Sequence, residues 1–200
     1  MLRRILVALV LGGMLAGGLV YWQRDQLPPH LQVLLRNLID PPAGHPPRLT
    51  EAYAQAVNAY LAQEGITRFT ARDIAVLGAG STSLYRTTYG MNDHPPLEAW
   101  ERILPTLRVL EAFLARCACE IEVISSYRNE RYNTALGSAT RSQHLRFTAI
   151  DFIASTGTPE DWRGILIALR NEGLFRGGIG VYPSFVHVDT RGTNADWDQR

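Results

Sequence analysis

Two short runs carry charged or imidazole side chains where an apolar residue would be expected. Asp151 interrupts Ala149-Ile150-Asp151-Phe152-Ile153, and His187 and Asp189 interrupt Phe185-Val186-His187-Val188-Asp189. A charge buried alone is costly, so each of these groups needs a partner. On an extended strand His187 and Asp189 point to the same face. Two further segments bring polar groups to strand ends: Ser125-Ser126-Tyr127-Arg128 and Ser142-Gln143-His144. His144, Asp151 and His187 together form a donor set that suits zinc and leaves a fourth position for water, the arrangement of a hydrolytic site. The competing reading of the same residues is a polar core network with no metal.

These groups must be held by a scaffold, and the chain punctuates one. Thr50 can cap a helix running to about Glu64, with Tyr53, Val57, Tyr60 and Leu61 at helical spacing and Gly65 at its end. Thr70 and Asp73 form a capping-box pattern for a short helix that Gly78 and Gly80 would close. Residues 81–96 read as loop. A long helix is expected from about Leu97 to Arg116, kinked at Pro105. Strands are expected over 120–125, 149–153, 179–182 and 185–189, and a helix from Thr158-Pro159 to about Asn171. Helices first and a small sheet later is an α+β pattern, and the return at 179–189 predicts an antiparallel hairpin.

The first 22 residues follow other rules. Arg3-Arg4 precedes Ile5 to Trp22, a stretch without a charge. As a helix it would span about 27 Å, near the thickness of a bilayer's hydrocarbon core. It is read as a single-pass inner-membrane anchor that leaves the rest of the chain outside the cytoplasm, the alternative being a signal peptide cleaved near Ala16-Gly17-Gly18. Residues 23–48, with proline pairs at 28–29, 41–42 and 46–47, read as a tether with a short amphipathic helix over Leu31 to Ile39 that lies on the membrane or on the domain, and residues 49–200 as the folded domain. A net charge of +1 with scattered basic residues does not point to a nucleic-acid partner, and none is expected. Cys117 and Cys119 are too few for a thiolate metal site, and a bond between residues two apart closes a strained ring, so they are expected to remain unbridged.

The order Ser-Tyr-Arg128, Ser-Gln-His144, six residues, Asp151, then Gly-Gly-Ile-Gly-Val-Tyr182 and Phe-Val-His187-Val-Asp189-Thr-Arg-Gly with Trp197 beyond resembles the zinc D-alanyl-D-alanine carboxypeptidases and related cell-wall endopeptidases. These share a metal site with lysostaphin-type enzymes and the hedgehog signalling domain. The resemblance runs from about Phe69 to Trp197 and implies a hedgehog-like α+β fold with a small antiparallel sheet. It implies Zn2+ on His144, Asp151 and His187, and Arg128 on the oxyanion of the tetrahedral intermediate, where a fixed cation is effective. Ser142 and Gln143 would orient the loop or touch substrate. Relatives carry an acid or histidine three residues before the last histidine ligand; here it is Ser184, which leaves Asp189 either to act as base or to orient His187. Relatives also carry glycine where this chain has Phe147, a bulk expected to reshape the groove or weaken the site.

Two functions follow as expectations. The first is a zinc peptidase acting on peptidoglycan peptides, as carboxypeptidase or endopeptidase. The second is an inactive zinc-containing module that binds such peptides.

Overall fold

The computed structural model describes residues 27–41 and 43–200. In chain order these form α1 (Pro29–Ile39), α2 (Glu51–Gln63), α3 (Ala71–Ile74), α4 (Ala79–Thr82), a 3-10 turn (Leu97–Ala99), α5 (Trp100–Cys117), β1 (Ile121–Ser125), α6 (Glu130–Ala135), β2 (Ala149–Ala154), α7 (Pro159–Asn171), β3 (Gly178–Val181), β4 (Val186–Asp189) and β5 (Ala195–Asp198). Among the described residues no helix is long and apolar enough to cross a membrane. The apolar run Ile5 to Trp22 lies outside them.

The caps act as their residue types dictate. Thr50 accepts from the Tyr53 amide, and Thr70–Asp73 and Thr158–Asp161 each close a capping box. The helix at Thr70 does not reach Gly78, however. It stops at Ile74, because the Ser126 hydroxyl takes the Ile74 carbonyl and the His94 ring contacts the Ala75 carbonyl. Gly78, at φ +78°, opens α4 instead. Pro105 lies within α5 and is exposed, so the Glu101 carbonyl left without an intrahelical donor is on the solvent face, where water can satisfy it.

The stretch expected as loop is organised around Asn92, which is 1% exposed. Its amide donates to the carbonyls of Leu77 and Tyr127, and its oxygen accepts from the Asn129 amide. One buried side chain thus clamps the backbone on both sides of Arg128. In the stretch expected as tether, α1 buries Asn37, whose amide donates to the carbonyls of Leu84 and Arg86.

The five strands form one sheet in the order β1-β2-β4-β3-β5. The first three pairings along that order are antiparallel, but β5 runs parallel to β3, so the sheet is mixed rather than purely antiparallel. Alternation along β2 separates two environments. Ile150 and Phe152 join the apolar core, where Phe152 meets Phe113 at 5.0 Å and Trp162 at 6.5 Å between ring centroids. Asp151 points to the other face, directly across from His187 on β4.

Two expectations are corrected here. Cys117 and Cys119 form a disulfide. The intervening Ala118 takes a left-handed conformation, φ +49°, at the end of α5, and this brings the two Cα atoms to 5.2 Å, within the ordinary span of such a bond. Phe147 does not reshape the groove. It occupies a left-handed position, φ +55°, where glycine is at ease, but its ring is fully buried against Trp100 and Tyr127 at 5.3 and 5.9 Å. Phe147→Gly should therefore relieve about 1 kcal/mol of backbone strain and lose about 3–5 kcal/mol of packing. The expected result is a net destabilisation of about 2–4 kcal/mol by denaturant unfolding, with zinc stoichiometry unchanged.

Candidate metal centre

The register of β2 and β4 sets the centre. Asp151 and His187 are cross-strand partners, and His144 arrives from the loop before β2. One ligand-type atom from each lies within 4.8 Å of the others, and all three residues are buried. His144 Nε2 is 3.2 Å from Asp151 Oδ1 and 3.2 Å from His187 Nδ1, and His187 Nδ1 is 2.7 Å from Asp151 Oδ1.

The far sides of both rings decide what these atoms are. His144 Nδ1 faces the Ser126 carbonyl at 2.5 Å, and a carbonyl can only accept, so that nitrogen carries the proton. His187 Nε2 faces the Asp189 carboxylate at 3.0 Å and is protonated for the same reason. The two nitrogens that converge on Asp151 are then both lone-pair acceptors, and so is the carboxylate oxygen. Three acceptors in mutual contact repel unless a proton or a cation sits among them. Tetrahedral ligands about 2.0 Å from zinc lie about 3.3 Å apart, close to the separations found here. The residues present therefore fit a divalent ion of this kind.

The surrounding groups shift the ionisation of each residue. Burial pulls the His144 pKa below its usual value, against the attraction of Asp151. Burial acts on His187 in the same direction, but hydrogen bonds to Asp151 and Asp189 outweigh it and raise that pKa. Burial alone would raise Asp151; the two imidazoles beside it hold the carboxyl well below the usual carboxylate range. Asp189 is also held low, because its bonds to Arg191 and His187 outweigh burial.

The other expected site residues fall into place around this group. Arg128 Nη2 donates to Asp151 Oδ2 at 2.7 Å, and Nε donates to Ser125 Oγ at 3.0 Å. The Arg128 backbone amide donates to the His144 carbonyl at 3.1 Å, tying the two ligand-bearing loops together. Asp189 is fully buried on the far edge of His187. It accepts from the amides of Gly178 and Arg191 and from the Arg191 guanidinium, so neither of its oxygens is free. Gln143 ties its loop to Thr148 through both its backbone and its side-chain oxygen. Ser142 lines the adjoining cavity; Ser184 does not, and is exposed in the turn between β3 and β4.

That cavity has a volume of about 590 Å³ and opens beside the three ligand-type residues. Part of its wall was visible in the sequence only as members of the family pattern, with no site role assigned. The Trp197 indole on β5 packs 5.1 Å from the His187 ring and donates to the Tyr182 hydroxyl at 3.1 Å. Gly180, across from His187, leaves room for it, since a Cβ there would lie 2.4 Å from the indole. Tyr182 and Phe185 stack at 4.3 Å and line the cavity as well. The available signal was the alternation through Gly178, Gly180 and Tyr182, which puts all three on one face.

Comparison with known proteins agrees with this geometry. No curated protein and no solved structure matches the chain. A family model described as Peptidase M15, a zinc-dependent family, matches residues 68–189, which is more than half of the chain and includes every ligand-type residue above. The chain is a member of the Peptidase M15 family.

Proposed function

We propose that this protein is a zinc peptidase that cuts peptides of the bacterial cell wall, with His144, Asp151 and His187 as the metal ligands. The observation that carries the reading is the convergence of three acceptor atoms beside an open cavity, with proton donation on the far side of both imidazoles. His144, Asp151 and His187 would hold zinc there, and the bound metal would supply Lewis acidity toward the scissile carbonyl and toward water. Arg128 fixes Asp151 and brings a positive charge to the cavity wall, where developing negative charge on the substrate is favoured. Asp189 orients His187 rather than taking a proton, because every contact it makes is already a donor's. Ser142 and Gln143 shape the loop at the cavity edge. The uncharged run Ile5 to Trp22 supports an inner-membrane anchor with the domain outside the cytoplasm, within reach of the wall.

One observation favours the alternative of a binding module without activity. Asp151 is the sole carboxylate lining the cavity, and its two oxygens face Arg128 and the histidines. Incubation of purified peptidoglycan with the zinc-loaded protein separates the two. The enzyme should release soluble peptide fragments or free D-alanine, and chelation should cut that release at least about 100-fold. Retention of the wall with no released product, at full zinc occupancy, supports the module.

A further inference from the structure

The charges around the cavity do not balance. Arg128 and Asp151 form one ion pair at 2.7 Å, and Arg191 and Asp189 form another. Arg141 also lines the cavity, and its guanidinium has no ion pair or side-chain hydrogen bond among the described residues. Asp151, the sole acid on the wall, is already paired with Arg128. One cation is thus left uncompensated, and a divalent ion at the centre would add two more charges of the same sign. The field in such a concave site favours an anionic occupant.

Arg141 is exposed at the cavity, and its backbone is held in place. It lies three residues before His144, so its Cα is within about 11 Å of that residue's along the chain. Its loop is held on both sides of it. The Asn133 amide donates to the Ala139 carbonyl, as does the Ser142 amide, and Arg128 donates to Ser138. A guanidinium fork matches a carboxylate in shape and charge. Tyr182 and Phe185, which also line the cavity, are stacked aromatics that add no charge.

We propose that Arg141 is a specificity-determining residue that binds a free carboxylate of the substrate, about one or two residues from the bond cut. The inference rests on the peptidase reading for its substrate. The carboxylate comes either from the substrate's C-terminus or from an acidic side chain.

The test uses three N-acetylated stem-type peptides: one ending in free D-alanyl-D-alanine, its C-terminal amide, and a version with the side-chain carboxylates amidated. Zinc-loaded wild type and Arg141→Ala are compared by kcat/KM. In the wild type, amidating the recognised carboxylate should lower kcat/KM about 10- to 100-fold, the scale of a charge-assisted hydrogen bond. Arg141→Ala should lower it by a similar factor for the free peptide and erase the difference between free and amidated forms, with zinc content unchanged. Loss in the C-terminal amide identifies the terminal carboxylate, and loss in the other analogue identifies the side chain. An Arg141→Ala protein that retains the wild-type discrimination overturns the inference. Should no peptide be cut, calorimetric Kd values for the same set decide: the peptidase reading falls, while a carboxylate-dependent Kd that vanishes in Arg141→Ala upholds the subsite. Absence of any carboxylate-dependent binding overturns the subsite too.

Discussion

Asp151→Ala should leave a protein that no longer retains zinc through dialysis and hydrolyses wall peptides at background rate. Loss of a residue that merely supports a metal ligand costs about 10- to 100-fold in affinity. Loss of the carboxylate that touches both imidazoles should exceed this, so a decrease above about 100-fold is expected. The same substitution acts on the metal-free fold. Arg128, whose side chain is 15% exposed, would keep only the serine hydroxyls near it. Breaking a buried ion pair by removing one partner costs about 3–5 kcal/mol, and the partial exposure of Arg128 puts the expectation near the lower end. Zinc titration and denaturant unfolding in chelator measure the two effects separately. Retention of one equivalent of zinc at wild-type affinity would show that the three residues are not its ligands.

The second large effect comes from a residue with no side chain. Gly177 sits where a Cβ would lie 1.7 Å from the Asp189 carbonyl oxygen and 2.7 Å from its carbon. Both obstacles are backbone, so Gly177→Ala must push β3 away from the end of β4. A cost of roughly 2–4 kcal/mol is expected, at or above the upper range for overpacking. Asp189 would move with the strand, and zinc affinity should fall about 10-fold or more, as when a ligand's support is lost. Gly173→Ala is the control. That glycine has φ +85° and open space around it, so only the conformational penalty applies, about 1 kcal/mol. Equal thermal midpoints for the two variants would refute the close-approach argument.

What the sequence revealed, and what it hid, follows from the range of each interaction. The caps at Thr50, Thr70 and Thr158 were legible because a cap is made within four residues. His144, Asp151 and His187 were legible because charge in an apolar run is conspicuous and because their flanks resemble a known pattern. The pairing of Arg128 with Asp151 was not, since it depends on where a loop after β1 lands relative to β2. Asn92 gave no local sign of its role, because its partners lie 15 to 37 residues away along the chain. β5 was missed for a compositional reason: Ala-Asp-Trp-Asp has no β-branched residue, and the segment is strand because β3 offers it a free edge. The cysteine bridge was missed because ring strain was judged without the left-handed turn that Ala118 supplies.

The last strand carries a practical lesson for preparing the protein. Gln199 lines the cavity and its amide donates to the Val181 carbonyl, and Arg200 is the next residue. Any polypeptide continuing past Arg200 therefore departs beside the mouth of the site. A polyhistidine purification tag fused there would hover next to the metal-binding group and offer rival imidazoles to the same ion. Metal stoichiometry measured on such a fusion would count the tag together with the protein, whereas a removable tag ahead of residue 27 keeps the assay honest.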